Sequence, residues 1–421
     1  MSVRAADTQG RRLARAGWSL RRSWHALARW SAGTSLPLRA FVYSRVLALG
    51  AGAGGVLTVA KHVPAADVTA SMRQFGPVGY LLAGSVARFD SGYYLDIAQH
   101  GYRTTSAAST AFYPLYPFAI RLLGWLTGSG VLAGAVISAV SFAVALVLLH
   151  RLTELELGTR AADVAVLLVA FAPLSFFFTA VYTESIFLLL SVGAMLAVRR
   201  ERWMLAGVLG ALCALTRPTG VLLAAPIAIA VLRHRPRIDR RLLWSLLPLA
   251  GVGLYLVVLA ANGFGWMAPF RAEASWHRID AGPVVGVAAG LHAAFRGLVA
   301  IVGNGVSIYE PTQNGPFSGS AEAVLLGLVL VLACALAVRC FRRLRLECAA
   351  YAALALATCV SSPVVGQPLA SLDRYVLTIF PLWMVAGAWV ARRRLEAPAV
   401  ALGALLLVFY TIEFSHSTFI A

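Results

Sequence analysis

The chain has 421 residues, of which 59% are hydrophobic and only 13% are charged, and its mean hydropathy is +0.76. A soluble domain carries roughly 25% charged residues, so this composition excludes an ordinary soluble enzyme. A formal net charge of +18 would indicate nucleic-acid binding if it lay on one surface. The basic residues instead fall in short clusters between apolar runs, as in the cytoplasmic loops of membrane proteins. No nucleic-acid partner is therefore expected.

The first 38 residues are rich in arginine and contain Trp18, Trp24 and Trp30. This mixture suits a membrane interface, where arginines contact lipid phosphates and indole rings lie at the boundary. We expect 1–38 to be a cytoplasmic interfacial segment in contact with membrane lipids, and 39–421 to be one transmembrane domain. Lys61 is the only lysine, and this preference for arginine, with much Ala, Gly and Val, indicates a GC-rich bacterial genome. The expected location is therefore a bacterial plasma membrane.

Apolar runs that suit a hydrocarbon core of about 30 Å recur along the chain and predict about eleven transmembrane helices. They lie near 41–60, 131–150, 161–180, 184–198, 203–216, 219–232, 242–262, 321–338, 347–361, 375–391 and 398–415. With the N-terminus inside, this count places every basic cluster in the cytoplasm. The chain is then an all-α polytopic membrane protein with long extracytoplasmic loops at 61–130 and 263–320. If 284–303 were counted as a further span, the later basic clusters would fall outside the cytoplasm. That segment is therefore expected to be interfacial or re-entrant.

The richest polar motif is RFDSGYYLDIAQHGY, at residues 88–102. As a helix it places Asp90, Tyr94 and Ile97 on one side, at the mouth of a membrane cavity. A carboxylate there can act as a general base. The alternative is that Asp90 only caps the helix of residues 91–100.

Four further motifs fall on the same outer face by the charge argument. They are FYPLYP with Tyr113, VYTES with Glu184, LTRPTG with Arg217, and DRY with Arg374 and Tyr375. Arginine recognises phosphate oxygens through paired, charge-assisted hydrogen bonds. Each motif also has a structural alternative. FYPLYP can serve packing, Thr183 can cap the helix that Glu184 begins, Arg217 can contact lipid headgroups, and Arg374 can pair locally with Asp373.

These five motifs occur in the order found in the GPI mannosyltransferase II (PIG-V-like) family and its bacterial relatives, which the chain resembles over about 88–381. The resemblance implies a GT-C glycosyltransferase fold with extracytoplasmic juxtamembrane helices and a polyprenyl-phosphate sugar donor, usually mannose. It places Asp90 on the acidic position of the family's first-loop motif, with Phe89 where tryptophan is expected. Glu184, Arg217 and Arg374 fall on the family's other polar motifs.

The expected activity is therefore inverting transfer of mannose from polyprenyl-phosphate mannose to a lipid-linked or cell-envelope glycan, outside the membrane. Asp90 is the expected base, and Tyr94, Tyr113, Glu184, Arg217, Arg374 and Tyr375 are the expected substrate-binding residues. No metal or other cofactor is expected, because phosphate is a good leaving group and the five cysteines form no CxxC pair. The alternatives are transfer of another sugar such as arabinose, a lipid-linked-sugar flippase or transporter, and a non-catalytic subunit.

Overall fold

The computed structural model describes residues 35–58, 72, 75–102, 107–234, 239–312, 315–418 and 420. The basic segment predicted at 1–38 therefore lies almost wholly outside the described residues. The helices are α1 Ser35–Thr58, α2 Gly76–Val86, α3 Ser91–His100, α4 Leu115–Thr127, α5 Gly130–Leu157, α6 Thr159–Ala170, α7 Glu184–Arg199, α8 Trp203–Ala214, α9 Ala224–His234, α10 Leu247–Ala261, α11 Ala268–Ala272, α12 Gly282–Asn304, α13 Gly319–Arg343, α14 Leu346–Ser361, α15 Leu372–Thr378, α16 Phe380–Arg393 and α17 Glu396–Ser415.

Short irregular elements join these helices. Short 3-10 helices lie at Ala107–Ala111, Ser175–Phe178, Pro218–Leu223, Arg240–Leu246 and Glu273–Trp276. One antiparallel hairpin, β1 Tyr309–Thr312 and β2 Gly315–Phe317, connects α12 to α13. The polar motifs of the sequence fall on these turns and at the first residues of helices, where side chains can leave the helical bundle.

By length and composition, six helices among the described residues can cross a membrane. They are Ser35–Thr58, Gly130–Leu157, Arg240–Ala261, Gly282–Asn304, Gly319–Arg343 and Glu396–Ser415, and α15 with α16 makes a seventh if that pair, bent by 82°, is one span. The chain is thus an α-helical polytopic membrane protein, as predicted. The number of about eleven spans stays a prediction. The apolar run 161–180, for example, is helical only to Ala170 and then continues as turns.

Helix α5 has 28 residues and is therefore about 42 Å long at 1.5 Å per residue. Near its C-terminus, Glu156 lies 2.9 Å from Nε of Arg199 and 3.7 Å from Nε of Arg345. Near its N-terminus, the hydroxyl of Tyr116 donates to the carbonyl of Gly134 at 3.0 Å. The bundle therefore has a basic end, around Glu156, and a motif end, around Tyr116.

Helix α12 is long and apolar enough to span a membrane, and most of its apolar side chains are exposed. However, the backbone N–H of Ala281, just before it, donates to Ser361 at the end of α14 (3.0 Å). After α12, the hairpin leads to Ser318, which caps α13 by accepting from the N–H of Ala321. Helix α14 begins and α13 ends beside Arg345, at the basic end, so both connections of α12 lie at the motif end. This arrangement favours the interfacial or re-entrant placement expected for 284–303.

A buried arginine fixes the chain between α6 and α7. The guanidinium of Arg45, on α1, donates to the carbonyl of Ser175 at 2.7 Å, to Oγ1 of Thr179 at 2.6 Å and to the carbonyl of Ala170 at 3.2 Å. Ala170 is the last residue of α6, where free carbonyls and the helix dipole attract a cation. Arg45 thereby orders the turn that leads to Glu184.

Candidate active site

Four charged side chains from distant parts of the sequence meet at the motif end. Arg374 donates from Nη1 to Oδ2 of Asp90 at 2.9 Å and from Nε to Oε1 of Glu184 at 2.5 Å. Arg217 donates from Nη2 to the same Oε1 of Glu184. The two carboxylates and two guanidiniums balance each other, which is the arrangement that buried ions require. We call these four residues the charged network.

Asp90 is in the first position before α3, but its carboxylate makes no capping hydrogen bond to that helix. The interpretation of Asp90 as a helix cap is therefore wrong, because its side chain turns to Arg374 instead. Phe89, before it, has a left-handed backbone with φ of 50°. This conformation is uncommon for a bulky residue and needs support from its surroundings.

Tyr182 provides such support. Its hydroxyl accepts from the backbone N–H of Asp90 at 3.2 Å and donates to the carbonyl of Arg88 at 3.0 Å, so it ties down both sides of Phe89. The Tyr182 ring also faces the guanidinium of Arg374, 4.6 Å from the ring centroid, and Phe177 contributes a second ring at 4.8 Å. These cation–π contacts help fix Arg374.

Glu184 is the first residue of α7 and is fully buried. Oε1 of its carboxylate accepts from both Arg374 and Arg217, while Oε2 is buried and accepts no hydrogen bond from the described residues. The sequence suggests only a favourable interaction of Glu184 with the helix dipole. Thr183 makes no side-chain cap either. Its Oγ1 accepts from Nε of Arg217 at 2.7 Å and lies 3.2 Å from the hydroxyl of Tyr94. Arg217 is therefore held inside the protein, so the lipid-headgroup alternative does not describe its observed contacts.

The alternative of a local pair between Arg374 and Asp373 is also wrong. Oδ1 of Asp373 accepts from the backbone N–H of Arg374 at 2.8 Å, and this bond supports the start of α15. The guanidinium of Arg374 points to Asp90, 284 positions earlier in the chain.

The three tyrosines expected to bind substrate occupy different environments. Tyr94 joins the charged network through Thr183, and burial raises its pKa to about 12, so that its hydroxyl stays neutral. Tyr375 accepts a hydrogen bond from Nη2 of Arg278 at 3.1 Å. Tyr113 is only 2% exposed and packs against Tyr255, with the ring centroids 4.4 Å apart. The described contacts of Tyr113 are thus packing contacts, which agrees with the structural alternative given for the FYPLYP motif.

Sequence reasoning assigned no role to Tyr182 or Arg88. Tyr182 lies inside the VYTES motif, so the sequence did draw attention to it. The motif does not indicate, however, that its hydroxyl would contact the backbone on both sides of Phe89. Arg88 donates from Nη2 to the carbonyl of Ser415 at 2.8 Å and from Nη1 to Ser417 at 2.7 Å. It thereby fixes the loop before Asp90 to the end of α17.

Substitution of Tyr182 by phenylalanine should reveal this positioning role. The variant keeps the ring beside Arg374 but loses both hydrogen bonds to the turn at Phe89. We expect transfer activity to fall about tenfold, because the loss of two hydrogen bonds is expected to cost roughly 1.4 kcal/mol or more. The measurement is the turnover number at saturating donor. Tyr80→Phe, at a part-exposed tyrosine of α2, is the control. Equal activity of both variants would remove Tyr182 from the site.

Residues 76–235 match the sequence profile of the mannosyltransferase (PIG-V) family. This range contains Asp90, Glu184 and Arg217 and four of the five motifs. The enzymes named GPI alpha-1,6-mannosyltransferase 2 from Rattus norvegicus and Mus musculus are 33% and 35% identical over 151 residues. These alignments cover 33% of this chain and 30% of each relative. The similarity thus spans less than a third of the relatives' length.

The fold is similar to that of the Archaeoglobus fulgidus oligosaccharyltransferase in its apo form. The two structures superpose with a TM-score of 0.50 at 17% sequence identity, over 91% of this chain and 56% of the other. At this identity the likeness concerns the fold alone. The resemblance to the PIG-V mannosyltransferases is confirmed for residues 76–235 by the family profile, and the chain has the GT-C fold that this resemblance implies.

Proposed function

We propose that this protein is an inverting mannosyltransferase that transfers mannose from polyprenyl-phosphate mannose to a lipid-linked or cell-envelope glycan. The family match and the fold support a glycosyltransferase. The observation that best supports the proposal is the partial exposure of the Asp90 carboxylate. Its side chain is 22% exposed, while the other carboxylate of the charged network, Glu184, is fully buried.

Asp90 is the better candidate for the base on geometric grounds. Only its Oδ2 bonds Arg374, and Oδ1 accepts no hydrogen bond from any residue that the structure describes. An acceptor hydroxyl can therefore approach Oδ1 while Arg374 holds the other oxygen. Glu184 lies behind the two arginines and has no exposed atoms with which to meet a substrate.

The proposed reaction is a direct displacement at the anomeric carbon. Asp90 takes the proton of the acceptor hydroxyl as that oxygen attacks the anomeric carbon of mannose. A glycosidic bond forms, the bond from the anomeric carbon to the phosphate oxygen breaks, and polyprenyl phosphate leaves with the bonding electrons. Attack opposite to the leaving group inverts the anomeric configuration.

In this proposal Arg374 has two tasks. It orients Asp90, and its Nη2, which bonds none of the described residues, is available to an oxygen of the leaving phosphate. A well-placed donor to developing charge contributes about 2.7–4 kcal/mol. Arg217 supports Arg374 indirectly, because it donates from Nη2 to the same carboxylate of Glu184 and from Nε to Thr183. Tyr94 keeps Thr183 in place from the other side.

The proposed location is a bacterial plasma membrane with the motif end outside. The basic clusters around Glu156 and Arg345 lie at the opposite end of the bundle, and the positive-inside rule places such clusters in the cytoplasm. A polyprenyl donor resides in the membrane and can enter the site laterally, with its phosphate at the level of the charged network. The acceptor would approach from the extracytoplasmic side.

The test is sugar transfer by the purified protein in proteoliposomes supplied with radiolabelled polyprenyl-phosphate mannose and a bacterial lipid extract. We expect labelled mannose to become covalently attached to an acceptor. Donors carrying arabinose are assayed in parallel, and preference for arabinose would replace mannose in the proposal. Movement of labelled donor across the bilayer without formation of a new glycoside would overturn the enzyme assignment in favour of a flippase.

A further inference from the structure

The charged network leaves little free positive charge for a phosphate. Arg217 and Arg374 each face at least one carboxylate, and the four side chains carry a formal charge of zero when ionised. A phosphate that approached this network would find only Nη2 of Arg374 and Nη1 of Arg217 without a hydrogen bond to the described residues, and both guanidiniums are already paired with carboxylates. The leaving group of the proposed reaction is anionic, so a further cation at the site would lower the cost of its departure.

Arg278 is such a cation. It is half-buried, and its guanidinium donates from Nη1 to the carbonyl of Ser362 and from Nη2 to the hydroxyl of Tyr375, each at 3.1 Å. Both partners are neutral. Among the described residues no carboxylate oxygen lies within 4.0 Å of this guanidinium. A partly buried charge with only neutral partners favours binding of an anion.

The position of Arg278 connects it to the site. Its partner Tyr375 follows Arg374 on α15, and the Arg278 guanidinium lies over the Tyr375 ring, 5.7 Å from the centroid. Two residues before Arg278, Trp276 contacts the ring of Tyr93 edge-on, with centroids 6.3 Å apart. Tyr93 is on the first turn of α3, three residues after Asp90. Residues 276–278 therefore bridge from the Asp90 side of the site to the Arg374 side, and we call them the strap.

The strap has a defined backbone conformation. His277 is left-handed, with φ of 57°, which is uncommon for a residue other than glycine. Its carbonyl accepts from the backbone N–H of Val365 at 3.1 Å, and Arg278 pairs with Val364 in an isolated antiparallel bridge. A strained residue held by its neighbours is a common feature of binding sites. Arg278 is thus presented from a fixed loop.

Two carboxylates near the strap leave Arg278 without an ion pair. Oδ1 of Asp280 accepts from the hydroxyl of Ser362 at 2.8 Å. Burial raises the pKa of Glu273, an effect that Asp280 strengthens and Arg278 opposes. Neither carboxylate reaches the guanidinium at ion-pair distance.

We propose that Arg278 binds the phosphate of the lipid-linked donor, while Arg217 and Arg374 remain with Glu184 and Asp90 and keep the base in position. The inference rests on the proposed function, and it names the residue that recognises the donor's charged group. One guanidinium matches the single negative charge of a phosphodiester, the linkage in a polyprenyl-phosphate sugar. Its two N–H edges can exchange the carbonyl and the hydroxyl that they now contact for phosphate oxygens.

The experiment measures binding of polyprenyl phosphate to the full-length protein in detergent, without any transfer step. For Arg278→Gln we expect at least about a tenfold weaker dissociation constant, the loss of one charge-assisted contact. Arg278→Lys should recover part of the affinity, because the charge returns without the planar fork. Arg271→Gln removes an exposed arginine of the same outer loop and should bind as the wild type does. Unchanged affinity in Arg278→Gln would overturn the inference.

Competition by inorganic phosphate and the Arg278→Lys variant provide two further tests. Competition by inorganic phosphate should be weaker in Arg278→Gln than in the wild type if the phosphate group itself is recognised, and equal competition would contradict the proposal. If Arg278→Gln fails to fold, Arg278→Lys is measured in its place. Wild-type affinity of that variant for both polyprenyl phosphate and inorganic phosphate would contradict a bidentate contact. Absence of mannose transfer by the wild type would defeat the proposed function alone, since binding is scored independently.

Discussion

Asp90→Asn is expected to lower mannose transfer by about 10²–10⁴-fold, the usual contribution of a general base. Asparagine has nearly the same size and keeps an oxygen that can accept from Nη1 of Arg374, so the shape of the site should survive. What it lacks is the ability to take the acceptor's proton. The measurement is the initial rate of label transfer at saturating donor, together with binding of polyprenyl phosphate.

The control for this experiment is Asp96→Asn. Asp96 lies on the same helix, α3, but its carboxylate is half-exposed and pairs with His100 at 2.8 Å, away from the charged network. We expect Asp96→Asn to transfer mannose at close to the wild-type rate. If Asp90→Asn kept wild-type activity, Asp90 would be a structural partner of Arg374, and the base would have to be sought elsewhere. A loss of polyprenyl-phosphate binding in Asp90→Asn would indicate damage beyond the proton transfer.

The sequence predicted the class of protein and the residues of the charged network, but not how these residues are connected. Composition alone indicated an α-helical membrane protein, because backbone N–H and C=O groups in a hydrocarbon core must form their hydrogen bonds within the protein, as they do in a helix. The motifs supplied Asp90, Glu184, Arg217 and Arg374. Periodicity left Asp90 undecided between cap and base, since both roles suit the start of a helix. The decisive contact joins it to Arg374, 284 positions later, and no local pattern encodes a pair so distant.

The number of spans illustrates another limit of sequence reasoning. Hydropathy treats 161–180 as one apolar run, yet α6 ends at Ala170 and the chain continues through a 3-10 turn at Ser175–Phe178. Pro173 cannot donate a backbone hydrogen bond, and Arg45 from α1 occupies the carbonyls of Ala170 and Ser175. A hydropathy average over a window of residues does not detect the end of the helix, because apolar side chains continue through the turn. The turn matters for function, since it leads directly to Tyr182 and Glu184.

Glu184→Gln is expected to destabilise the protein more than any other single change in the charged network. Glu184 is fully buried and accepts from both Arg374 and Arg217. Glutamine would leave two guanidiniums with one remaining carboxylate, and removing a partner of a buried ion pair costs about 3–5 kcal/mol. The measurement is the free energy of unfolding in detergent. Glu154→Gln, at a part-exposed carboxylate near the basic end, should cost no more than about 1 kcal/mol.

The double variant Glu184→Gln with Arg217→Gln separates charge balance from packing. Each single change leaves the charged network with one unbalanced charge, whereas the double variant returns its formal charge to zero. We therefore expect the double variant to be more stable than the sum of the single effects predicts, by about 1–3 kcal/mol. Additive losses would mean that the two side chains stabilise the protein independently, and Glu184 would then be a packing residue. Non-additive losses together with abolished transfer would support the view that the buried Glu184 holds both arginines so that Arg374 can hold the base.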